Sequence, residues 1–118
     1  LNILVKKARM FNMTPVVEVH TKDEVKKAVA SGVDIIGINT RDLKTFKINL
    51  SKVRQLVKYV PKDKFVLCES GIKTVEDVKE VLVDAKVKGI LVGTMFMKLK
   101  PEKIRDFVNE AVRNVPAE

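Results

Sequence analysis

The chain has 118 residues, with 23 Lys plus Arg against 15 Asp plus Glu, a formal charge of +8. That length suits one domain, and 46% hydrophobic with 32% charged residues excludes a disordered chain. No apolar run approaches the roughly 18 residues of a membrane-spanning helix, and a lone Cys68 excludes an internal disulfide and a multi-cysteine metal cage.

The first element is a helix from Ile3 to Phe11, with Leu4, Val5, Ala8 and Phe11 at helical spacing, broken by Thr14-Pro15. The chain opens inside this helix and reads as a piece of something longer. No secretory signal pattern precedes it. Val16-Val17-Glu18-Val19 predicts a β-branched strand. Thr21 and Glu24 match a capping box. They open a helix whose stripe is Val25, Ala28 and Val29, closed by Gly32. Asp34 to Asn39 predicts a second strand, followed by a polar loop from Thr40 to Asn49. A helix from Leu50 to Tyr59 carries Val53, Leu56 and Val57 inside and stops before Pro61.

Phe65 to Glu69 predicts the third strand. Thr74 caps the next helix, with Val75, Val78, Val81 and Leu82 on one side. Gly89 to Gly93 predicts the fourth strand. Pro101 takes the first turn of a last helix, where a missing N–H is harmless, and Ile104, Phe107, Val108, Ala111 and Val112 are its expected buried side. The alternation and the near-continuous apolar strands predict an α/β fold with a parallel sheet.

In such folds the chemistry collects at the carboxyl ends of the strands. Glu18, Asn39, Ser70 and Thr94 follow one another at spacings of 21, 31 and 24 residues, about one helix–strand unit each, so all four are expected on one rim. Glu18 interrupts an apolar strand, where a carboxylate must be paired or do work. Its structural alternative is an ion pair with Arg41 or a lysine. Asn39 offers a donor and an acceptor, for a substrate hydroxyl or for the backbone of the next loop. Arg41 grips a carboxylate or phosphate, or pairs with Asp42 or Glu18. Ser70-Gly71 and Gly93-Thr94 look like pieces of a phosphate cradle, with Thr94 to Met97 as a short extra helix. The alternative is ordinary strand-to-helix turns. His20 reads as a lead into the Thr21 cap, and Cys68 as a small core residue. No cluster has metal-ligand spacing.

Four stretches together resemble the indole-3-glycerol phosphate synthase family: Val17-Glu18-Val19-His20, Gly37-Ile38-Asn39-Thr40-Arg41-Asp42-Leu43, Glu69-Ser70-Gly71-Ile72 and Leu91-Val92-Gly93-Thr94. The resemblance implies a (β/α)8 TIM-barrel enzyme of tryptophan biosynthesis, a cytoplasmic carbon–carbon lyase. Such an enzyme closes the indole ring of an anthranilate-derived sugar phosphate with loss of carbon dioxide and water, and needs no cofactor. It further implies that Glu18 serves acid/base chemistry, that Asn39 contacts the substrate, and that Arg41, Glu69 and Ser70 bind it. Gly71, Gly93 and Thr94 match the phosphate site, where the family more often has Ser at the last position. The family's catalytic lysines and another glutamate lie on earlier strands and have no counterpart here. The chain is therefore expected to be one domain, residues 1–118, running from helix four to helix eight of a barrel. It is expected to be inactive or nearly so by itself, and to pair with an N-terminal half or with itself through its open edges.

The expected ligand is an anionic small molecule, a sugar phosphate with a carboxylate. The basic residues occur singly or in pairs among acids, a pattern of solvated surface that argues against a nucleic acid or membrane partner. Rival readings are another phosphate-binding barrel, such as a phosphoribosyl-intermediate isomerase, and an excised or designed half-barrel or flavodoxin-like module without activity.

Overall fold

The computed structural model describes residues 1–41, 49–85 and 87–115. Asp42 and Leu43, which complete the second motif, and most of the polar loop lie outside the described residues.

The elements follow in chain order: α1 (Asn2–Met10), β1 (Val16–Val19), α2 (Lys22–Ala30), β2 (Ile35–Asn39), α3 (Ser51–Val57), β3 (Phe65–Glu69), α4 (Val75–Lys79), β4 (Gly89–Leu91), α5 (Thr94–Met97) and α6 (Pro101–Asn114). The four strands form one parallel sheet in the order β1-β2-β3-β4. Consecutive strands are neighbours throughout, so each helical crossover moves the chain one place along the sheet, as in a growing barrel wall. This order also leaves β1 and β4 as open edges.

The helix starts follow from local chemistry. Thr21 accepts from the Glu24 backbone N–H while the Glu24 carboxylate accepts from the Thr21 N–H, a reciprocal capping box. Thr74 and Asp77 repeat it at α4. Pro101 stands at the first turn of α6. Beyond Lys79 the chain loosens into a π-helical turn, Glu80–Asp84, with Ala85 N–H donating to the Glu80 carbonyl at 2.9 Å.

The core lies on one face of the sheet. Val19, Ile36, Ile38, Val66 and Cys68 pack there against Val25 and Ala28 of α2, Val53 and Leu56 of α3, Val78 of α4 and Ala111 of α6. The Cys68 thiol is fully buried, as expected of a core residue, and burial pushes its pKa up to about 12. The alternate residues point the other way, onto a face with few neighbours. Val16 is 46% exposed and Leu91 58%.

Three expectations shift. Val108 and Val112 are exposed, at 43% and 70%. α6 packs on α4, with Ala111 buried and Ile104 and Phe107 half-buried, and the apolar stripe extends past these residues. β4 ends at Leu91, two residues early, because its pairing with β3 ends at the Glu69–Leu91 partners. α3 stops at Val57 and gives way to a turn before Pro61.

Candidate functional site

Parallel register turns sequence spacing into rows. Val16, Ile35 and Phe65 are Cα partners near the amino ends, then Glu18, Gly37, Leu67 and Gly89, then Asn39, Glu69 and Leu91 at the carboxyl ends. The two upper rows bring Glu18, Asn39 and Glu69 together on the open face.

Glu18 sits at the centre of a polar set. Its Oε1 accepts from Asn39 Nδ2 at 3.0 Å, and His20 Nε2 stands 3.3 Å away. The Asn39 hydrogen bond, with help from His20, holds the Glu18 carboxyl below the usual carboxylate range, against the burial that would raise it. Asn39 uses both ends of its amide, since Oδ1 accepts the Arg41 backbone N–H at 2.9 Å. Of the two roles open for Asn39 in the sequence, the structure shows the bracing of its own loop, and the amide donor is aimed at the acid Glu18.

Glu69 behaves oppositely. Burial, reinforced by the nearby Glu18 carboxyl, pushes its pKa up to about 7. One carboxyl is thereby held ionised and its neighbour is poised to carry a proton.

His20 turns out to bridge two carboxylates. Its Nδ1 lies 3.6 Å from Glu24 Oε2, on the side opposite Glu18. His20 Nε2 is buried and, for all its nearness to Glu18, has no hydrogen-bond partner among the described residues. Among the described residues it is the His20 imidazole, rather than Arg41 or a lysine, that stands within ion-pair distance of Glu18.

A second feature lies beside this set. A cleft of about 640 Å³ opens between the β3 and β4 ends, lined by Arg41, Ser70, Gly71, Gly93, Thr94 and the lysines Lys73 and Lys98. Ser70 and Gly71 both adopt left-handed backbone, with φ of 70° and 83°. Glycine does so freely, while a serine there costs about 1–2 kcal/mol. Thr40 secures that turn. Its buried hydroxyl lies 3.1 Å from the Ser70 carbonyl and 3.3 Å from that of Glu69. Space around Gly93 is open, so an anion can approach its backbone. The pairing of Arg41 with Asp42 lies outside the described residues.

The structure thus gathers Glu18, Asn39 and Glu69 into one group, and Arg41, Ser70, Gly71, Gly93 and Thr94 around the adjoining cleft. Sequence reasoning missed four contributors. Lys73 and Lys98 carry no motif. Thr40 stood in the second motif and at the start of the polar loop, with no role of its own assigned to it. Gly37 gave a signal, a glycine inside an apolar strand, which marks close approach of another group.

A family model described as indole-3-glycerol phosphate synthase matches residues 1–110. An indole-3-glycerol phosphate synthase of Caldanaerobacter subterraneus subsp. tengcongensis is 47% identical over 103 residues, which is 87% of this chain and 40% of that protein. The enzyme of the same name from Aquifex aeolicus is 47% identical over 89 residues, 73% of this chain and 34% of its own. The chain thus spans about 40% of the length of the first of these relatives. Among solved structures, a thiamine phosphate pyrophosphorylase from Pyrococcus furiosus superposes with a TM-score of 0.73 at 23% identity, covering 96% of this chain and 52% of that one. An N-acetylmannosamine-6-phosphate 2-epimerase from Clostridium perfringens gives 0.69 at 21%, covering 92% and 48%. At those identities the structural likeness shows the fold alone, an α/β architecture of TIM-barrel type.

Proposed function

The chain belongs to the indole-3-glycerol phosphate synthase family, and on that premise we propose that residues 1–118 form the C-terminal half of its barrel, from helix four to helix eight. We propose also that they supply one side of a lyase site closing an indole ring with loss of carbon dioxide and water. The observation that carries the reading is the adjacency of two unlike features on one rim: a carboxylate pair with its amide donor, and a cleft lined by Arg41, Lys73 and Lys98.

In this reading Glu18 is the base, held ionised by Asn39. Asn39 and Glu69 orient the substrate's reacting part. Arg41 and Ser70 bind it, the guanidinium suiting a planar carboxylate. The phosphate enters the cleft against the backbone at Gly71 and Gly93 and the Thr94 hydroxyl, with the two lysines balancing its charge. The open face, with Val16, Phe65 and Leu91 exposed, and the bare edges of β1 and β4 are then completed by an N-terminal half-barrel, which brings the remaining proton donors. The reaction belongs in the cytoplasm. Among the described residues no helix is long and apolar enough to cross a membrane.

The test is reconstitution. The chain alone is expected to bind inorganic phosphate and to form no product from the anthranilate-bearing sugar phosphate. Mixed with an N-terminal half made from a relative, it is expected to gain turnover that Glu18→Gln removes. The double variant Lys73→Ala, Lys98→Ala should weaken phosphate binding about tenfold. Turnover by the chain alone at a full-length relative's rate would overturn the half-site reading. A stable self-associated form that refuses the added half would replace that partner with a second copy.

A further inference from the structure

The row Glu18, Gly37, Leu67 and Gly89 has a gap at its second place. Glu69 belongs to the next row, opposite Asn39, yet its carboxylate reaches back over Gly37. A β-carbon at Gly37 would overlap Glu69 Oε1 and stand 2.7 Å from Cδ. Ile36 and Ile38 point to the opposite, helix-covered face, so their packing does not call for a glycine between them, and glycine in a strand interior is destabilising by about 0.5–1 kcal/mol. Because the side chain is missing, Glu69 can cross β2 and come within hydrogen-bonding reach of Glu18 on the far side.

An ionised carboxylate only accepts hydrogen bonds. Two carboxyls in contact therefore hold a proton between them. The surroundings decide which keeps the charge. Glu18 receives the Asn39 donor at 3.0 Å and faces His20 at 3.3 Å. Glu69 faces Glu18 from β1, Gly37 and Asn39 from β2, and the apolar Leu91 from β4, and among the described residues no side chain donates to it.

We propose that Gly37 is a positioning residue, the opening through which Glu69 and Glu18 share one proton and act as a single acid–base unit, with Glu69 holding the proton and Glu18 the charge. This rests on the reading of Glu18 as the base and extends it to the protonated partner.

The test is a ¹³C NMR titration of the side-chain carboxyls in the 118-residue chain. In the natural sequence Glu69 is expected to titrate near neutrality and Glu18 below the ordinary range. In Gly37→Ala the added methyl expels Glu69, and its midpoint falls by one pH unit or more while the amide spectrum stays that of a folded sheet. Glu69→Asp leaves β2 untouched and is one methylene too short to cross, so the shortened carboxyl should titrate within the ordinary aspartate range; this serves if Gly37→Ala fails to fold. Glu18→Gln should lower the Glu69 midpoint with the gap intact. A Glu69 midpoint near 7 retained in Gly37→Ala, or a shortened carboxyl in Glu69→Asp still titrating near neutrality, overturns the role of the gap. An ordinary midpoint for Glu69 in the natural sequence overturns the shared proton. Failure of the underlying reading would look different: the reconstituted barrel would turn over normally with Glu18→Gln, whatever the titration gave.

Discussion

The two faces of the sheet are built from alternate residues of the same strands, and they carry opposite burdens. On the helix-covered face Val19, Ile36, Ile38 and Cys68 are completely buried. On the opposite face, Val16 of β1, Phe65 of β3 and Leu91 of β4 are 46%, 39% and 58% exposed. Both faces are apolar at their amino ends, and only one has a cover. The polar residues Glu18, Asn39 and Glu69 belong to the uncovered face, at its carboxyl end. Stability therefore rests on the helix side, and chemistry is placed where it hardly taxes the core. An apolar face without neighbours is also what a barrel interior looks like before the wall closes.

The most direct way to break this contrast is to truncate the covered face. Ile38→Ala leaves a cavity in the packed layer and is expected to cost about 3 kcal/mol, read as a lower midpoint in urea with an unchanged slope. A loss below about 1 kcal/mol would mean that the helices do not carry the fold.

A smaller effect separates the faces by pH. A carboxyl whose folded pKa is raised stabilises the fold fully below its unfolded value and loses that contribution as pH rises through the folded one. For Glu69 the window runs from about 4.5 to about 7. Glu18 is lowered, so its contribution is present above its ordinary pKa and disappears on acidification. Glu69→Gln should therefore flatten the decline in stability between pH 5 and pH 8, leaving the variant more stable than the natural chain at pH 8. Solvent screening at this half-buried position keeps the gain to about 1 kcal/mol. An unchanged decline would assign the pH dependence to other groups.

Much of this was legible in the sequence because it is local. Capping pairs three residues apart, a proline at a helix start and short β-branched runs each announce an element without reference to anything distant. The regular spacing of Glu18, Asn39, Ser70 and Thr94 foretold the common rim. What stayed hidden depends on register. That Glu69 crosses Gly37 to meet Glu18 follows from the alignment of three strands and the reach of one side chain, and the isolated glycine was its sole trace. Lys73 and Lys98 were lost among 23 basic residues, because nothing but position distinguishes a cleft lysine from a solvated one. Near-continuous apolar strands suit a sheet covered on both faces, whereas the described residues cover one.

The finest test uses the smallest effect. Phe65 is on the open face, where the described residues place no helix above it, and Phe65→Ala should cost the chain alone only about 1 kcal/mol, since 39% of the residue stays exposed after folding. If the proposed N-terminal half closes over the sheet, the same ring becomes interior, and its removal should weaken association by about 3 kcal/mol, a shift of roughly a hundredfold in the dissociation constant. The ratio between the two measurements is the informative quantity. A phenylalanine equally important before and after pairing would mean that the open face is already satisfied within the chain. A phenylalanine unimportant in both would mean that the partner docks along the bare edges of β1 and β4 without lining the face, and the carboxylate pair would then remain open to water in the assembled protein.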